Sequence, residues 1–184
     1  MKKTLLLPLM ACIFIFAQCK KDKNSPELDN PYGLPNATQE GKNTLGFLLN
    51  GVAWTPRGFS GTSNLSVEVD FNFNGGGFGI SSYRISQTGE QTFFGIGVKD
   101  SLNLISIPVS LPIGKNTLAI SRFDKDSGCE INFFDTSAFR NGELTITKLD
   151  RTNRIISGKF NTVLFQDGCS DTSKITEGRF DMSY

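Results

Sequence analysis

Asp124, Asp126 and Glu130 crowd into the stretch FDKDSGCE, and clustered carboxylates are what a calcium loop or a pair of hydrolytic acids is made from. An EF-hand loop places glycine sixth and glutamate twelfth, whereas counting from Asp124 puts Gly128 fifth and Glu130 seventh. The stretch is therefore expected to be a polar hairpin loop. Glycosidic hydrolysis needs two acids about 5–10 Å apart, a distance that spacing along a strand does not set, so a hydrolase using clustered carboxylates is kept as an alternative function. The chain has no histidine. That removes triads of the Ser-His-Asp kind and histidine zinc sites, and neither a cofactor nor a metal is expected.

Two further stretches have the right residue types for chemistry. NGGGFG, residues 74–79, has the glycines of a phosphate cradle, but such a loop must open a helix whose amides face the anion. Here it leads into FGISSY, so a hairpin turn is expected. ITEGRFD places Glu177, Arg179 and Asp181 on one strand face and Phe180 on the other, which predicts charge pairing on a solvated face. Sugar-binding surfaces use Trp and Tyr, whose polar handles suit a half-wet platform. This chain has one Trp and three Tyr against 16 Phe, a composition that belongs to a core. The 19 basic and 18 acidic groups produce no field that would gather nucleic acid.

The four cysteines divide into two pairs by context. Lys2 and Lys3 precede TLLLPLMACIFIFAQ, an apolar run of the length of a signal h-region and short for a membrane span. Cys19 follows, where a small-residue cleavage site would otherwise stand, and the lysines at 20, 21 and 23 close the run. This arrangement resembles a bacterial lipoprotein signal, in which the cysteine is acylated and becomes the new N-terminus. Cys12 also has a box before it, Leu9-Met10-Ala11, but its use would strand the apolar IFIFA in the mature protein. Cys19 is the expected lipidation site. Two or more acyl chains anchor stably where one is marginal. Residues 20–41 are polar and interrupted by Pro26, Pro31 and Pro35, so residues 19–41 read as the lipidated cysteine and a flexible linker. Cys129 and Cys169 remain. An exported chain favours their pairing as a disulfide over a redox role, which prefers C-x-x-C, or a metal site without histidine.

These residues sit on strands. In LSVEVDFNF, Leu65, Val67, Val69, Phe71 and Phe73 point one way and the polar residues the other. LISIPVSL repeats the alternation with Ile105, Ile107, Val109 and Leu111, and Pro108 moves that strand toward a sheet edge. Asn50-Gly51 between apolar segments predicts a type I′ hairpin. No segment carries a helical stripe. About ten short strands predict an all-β fold, an antiparallel β-sandwich over 42–184, with a lipocalin-like meander barrel as the alternative. Phe93-Phe94 and Phe133-Phe134 make both faces of their strands apolar, so either the outer face is covered or a patch meets a partner. Trp54, Phe94 and Phe134 are the candidate binding patch.

LPNATQEGKNTLGFLLNGVAWTP at 34–56, together with GELTITKLDRTNRIISGKF and ITEGRFD near the C-terminus, is similar to a group of small Bacteroidota lipoproteins carrying a domain of unknown function. The resemblance spans most of the mature domain and implies an envelope lipoprotein with an all-β body. Asp100-Ser101-Leu102 also resembles a short O-glycosylation signal of such bacteria. The expectation is then a signal peptide at 1–18 and a lipid-anchored outer-membrane protein whose domain is a non-catalytic binding module. Its partner would be an envelope protein, a peptide or a glycan. A β-barrel carrier of a small hydrophobic ligand is the other alternative.

Overall fold

The computed structural model describes residues 32–114, 116–123, 129–132, 137–169 and 172–184. The signal run, Cys19, Asp124, Asp126 and Phe134 lie outside the described residues. Ten strands follow one another: β1 (Thr44–Leu49), β2 (Val52–Trp54), β3 (Leu65–Asp70), β4 (Gly77–Ile85), β5 (Gln91–Val98), β6 (Val109–Pro112), β7 (Thr117–Arg122), β8 (Phe139–Asp150), β9 (Ile155–Phe165) and β10 (Ser173–Ser183). They build a six-stranded sheet in the order β2-β1-β10-β9-β8-β6 and a four-stranded sheet in the order β3-β4-β5-β7, with every pairing antiparallel. Each sheet ends on edge strands, so the fold is the expected sandwich and the barrel alternative is set aside.

Local chemistry accounts for the strand ends. Asn50 and Gly51 take φ of 50° and 83°, and Leu49 pairs directly with Val52, so β1 and β2 are joined by the two-residue turn that Asn-Gly favours. Asn74, Gly75 and Gly76 all have positive φ and return β3 to β4. Pro108 stands immediately before β6, which is the outermost strand of its sheet, as the missing N–H requires. Leu65, Val67, Val69 and Phe71 pack against the core as the alternation predicts. Phe73 does not: the strand ends at Asp70 and leaves its ring 60% exposed.

The space between the sheets is filled by aromatic rings centred on Phe47. Its ring lies 4.8 Å from Trp54, 4.7 Å from Phe94, 5.9 Å from Phe160 and 6.2 Å from Phe123. Ring pairs in offset or edge geometry add to the large area each ring removes from water. Two guanidinium groups stitch the open sides: Arg84 of β4 donates to the Ala53 carbonyl of β2, and Arg140 of β8 to the Ala119 carbonyl of β7. Phe47→Ala is expected to cost about 3–5 kcal/mol, because four rings cannot collapse into one hole; a denaturant midpoint unchanged by the substitution would contradict that placement.

The segment before β1 departs from the linker expected over 19–41. Leu34 is buried, and the Pro35 ring packs so closely on Gly46 that a Cβ at Gly46 would stand 2.5 Å from it. This strap is held by Asp181, which is fully buried and not on the solvated face expected for it. Its carboxylate accepts hydrogen bonds from Thr38 Oγ1 (2.6 Å), Glu40 N (3.0 Å), Gly41 N (2.8 Å), Lys42 N (3.2 Å) and Ser157 Oγ (2.8 Å). Lys148 Nζ adds a bond to the Gln39 carbonyl. Leu34 to Lys42 therefore belong to the packed domain.

Burial pushes the Asp181 carboxyl up, but the donors from Thr38, Glu40, Ser157 and Gly41 outweigh it and hold the group at about 2. A depressed carboxylate contributes stability that is complete above the ordinary carboxylate range and is lost as pH falls toward 2. The linked amount is about 2 kcal/mol. Asp181→Asn should remove most of this acid sensitivity and destabilise at neutral pH, since an amide NH₂ would face donors. Equal acid-unfolding profiles for the two proteins would contradict the clamp.

Candidate functional site

The β1–β2 hairpin carries two clefts, one on each flank. The first, about 210 Å³, is lined by Leu49, Phe123, Ile131, Leu164, Gln166 and the Cys129–Cys169 bridge. The second, about 200 Å³, is lined by Leu49, Val52, Trp54, Arg84, Glu90 and Thr92. Leu49 belongs to both, so the hairpin is a ridge between them. Its position is locked, because Asn50 N donates to the Lys174 carbonyl and Asn50 Oδ1 accepts from Lys174 N, each at 2.8 Å. Val52 stands on the ridge 70% exposed. Each cleft is lined by both apolar and polar side chains, a mixture that can receive a side chain of a partner.

Cys129 and Cys169 are bonded, with Cα atoms 5.6 Å apart. The bond ties the β7–β8 connection to the β9–β10 connection and forms one wall of the first cleft. That pairing was expected; its place beside the hairpin was not legible, because strand order decides which connections meet.

Of the candidate patch, Phe134 lies outside the described residues, and burial corrects Trp54 and Phe94. Phe94 is 0% and Trp54 4% exposed, since the Trp54 ring stacks on Phe47 and the Phe94 ring lies tilted against it in the core, and Trp54 Nε1 already donates to Thr92 Oγ1. Trp54 reaches only the floor of the second cleft. The outward residue of the Phe93-Phe94 pair is Phe93, half-buried opposite Tyr83. Tyr83 is itself covered by the 57–64 loop, receiving a bond from Ser60 N and donating to the Thr62 carbonyl. Further along this sheet, Gly79, Gly95 and Gly97 floor a trough of about 140 Å³ beside Leu118 and Ile120. The sheet's outer face is thus covered at one end and open at the other.

Of the acids singled out as candidate chemistry, Asp124 and Asp126 lie outside the described residues, and the described ones have partners. Glu130 faces Arg122 at 3.9 Å. Glu177 pairs with Arg179 at 3.2 Å within β10, at a bulge where Glu177 takes φ 55° and the register with β9 shifts. Asp150 caps its own turn, where donors from Asn153 and Thr152, with Lys148 nearby, hold its carboxyl below the usual range. Among the described residues no group of three or more Cys, Asp or Glu could hold a metal ion. Ser101 is half-buried with φ 77°, and the neighbouring Leu102 is a core residue.

Sequence reasoning missed Leu49, Arg84 and Glu90, which come together only through sheet packing, and it placed Asp181 on a solvated face although it is an acid between two core residues in RFDM. No protein-family model, curated protein or solved structure matches the chain. Closing a loop of 40 residues with the disulfide contributes about 4 kcal/mol in the chain-entropy model. The paired Cys129→Ser and Cys169→Ser protein should therefore show an unfolding free energy, from denaturant titration, lowered by that amount, and no change on replacing both would refute the stabilising role.

Proposed function

We propose that this protein is a lipid-anchored envelope lipoprotein of the outer membrane, tethered through Cys19, whose sandwich is a non-catalytic contact module. The observation that carries the reading is the apolar run ending at Cys19 between Lys2-Lys3 and Lys20-Lys21. Loss of residues 1–18 would leave 17 basic against 18 acidic groups, an essentially neutral body. The resemblance to small Bacteroidota lipoproteins agrees with it.

The hairpin end is the contact surface in this reading. Val52 projects between two clefts that are shaped for side chains, which suits a peptide or envelope-protein partner or the terminal residue of a glycan. A carrier would need an open interior, and the space between these sheets is occupied by the Phe47 cluster. Of the acids that a hydrolase could use, the described Asp181, Asp150, Glu177 and Glu130 are each bound in pairs or turns.

Cys19→Ala tests the anchor. The wild-type protein should fractionate with membranes and show, by intact mass, a chain beginning at an acylated Cys19. The variant should lose the acyl mass and its stable membrane association. Identical fractionation of the two, or a mature chain starting elsewhere, would overturn the proposal.

A further inference from the structure

We infer that the end of the sandwich opposite the hairpin docks on the phospholipid surface, with Phe73 and Leu104 entering the interface. The two side chains are 60% and 81% exposed, yet they stand on rigid loops. Leu102 N donates to the Gly76 carbonyl and Asn103 N to the Gly75 carbonyl, both at 2.9 Å, joining the β3–β4 turn to the segment after β5. Asn103 Nδ2 donates to the Phe71 carbonyl at 2.6 Å, and a Cβ at Gly76 would collide with the Asn103 side chain. Large apolar groups displayed on a preorganised tip carry little ordering cost when they bind.

The surroundings of the tip select a lipid surface. Arg151 lies over the Phe71 ring at 4.1 Å and donates to Asn103 Oδ1 at 2.6 Å, while Arg154 lies over the Tyr184 ring at 5.6 Å. Both arginines are exposed, whereas Asp70 and Asp150 turn back to cap their own backbone. Arginine beside aromatic rings, with aliphatic and aromatic side chains projecting beyond, is the chemistry of a headgroup-level contact. The reach of the chain agrees. The strap crosses Gly41, packed on Ile155 and Ser183 at this same end, and Pro35 lies on Gly46, two residues into β1 from Thr44. From Leu34 back to Cys19 is 15 residues, an r.m.s. coil span of roughly 21 Å. A lipid at Cys19 therefore keeps bilayer within reach of the tip, and docking there turns the hairpin clefts away from the membrane.

This inference rests on the anchor reading for the nearness of lipid, and the test separates the two. The full mature protein and its Cys19→Ala counterpart are each given Phe73→Trp, Leu104→Trp or, at the opposite end, Val52→Trp. All are mixed with excess vesicles of phosphatidylethanolamine and phosphatidylglycerol containing brominated lipid. Trp54, buried in the core, is the internal reference. Quenching of Trp at 73 and 104 but not at 52, in either background, supports docking. Unquenched emission at 73 and 104 overturns it, and is the result expected if a protein covers the tip instead. In the Cys19→Ala background, Phe73→Ser with Leu104→Ser should raise the lipid needed for half-binding by about tenfold or more. Equal lipid requirements of wild type and Cys19→Ala would sink the anchor alone, leaving the quenching result to decide the tip.

Discussion

Five donors converge on the Asp181 carboxylate, and through them residues 38–42 are fixed to the last strand. A buried carboxylate without partners would protonate or force the structure open. Here three consecutive backbone amides and two hydroxyls do for it what water would do. A strap closed at 38–42 fixes the segment that leads into β1 against β10, so in the proposed reading the domain would be held to its tether through a packed segment.

The remainder of the fold is a closed aromatic interior between two open sheets. Phe47 is at its centre because β1 lies second in the six-stranded sheet and faces β5 across the core. Arg84 and Arg140 satisfy carbonyls of the facing sheet at the two sides, where an unpaired buried acceptor would otherwise be costly. With the interior full, a partner in the proposed reading would be met at the surface, where the hairpin ridge carries a cleft on each flank.

Much of this architecture is local and was legible. Alternation at 65–71 gave the half-buried edge strand, Asn50-Gly51 the primed turn, Pro108 the edge position of β6, and Cys129 with Cys169 the bridge. What failed did so for one reason: facing is decided by partners far away in the chain. Asp181 meets Thr38 across 143 positions, so its alternation with Phe180 could not reveal a clamp in place of a solvated charge. Trp54 and Phe94 looked available because their neighbours are apolar, but Phe47 claims both. Phe73 continued the period of β3 beyond the point where Asp70 ends the strand.

In the proposed reading, acyl groups at Cys19, the chain up to Leu34, the strap locked to β10 and the apolar tip of Phe73 and Leu104 would act as one mechanical chain, with the clamp as the link on which orientation depends. Amide hydrogen exchange resolved at Glu40, Gly41 and Lys42 measures it directly. The account predicts exchange at these three amides as slow as in the paired residues of β10; exchange at the rate of an unstructured chain would contradict it.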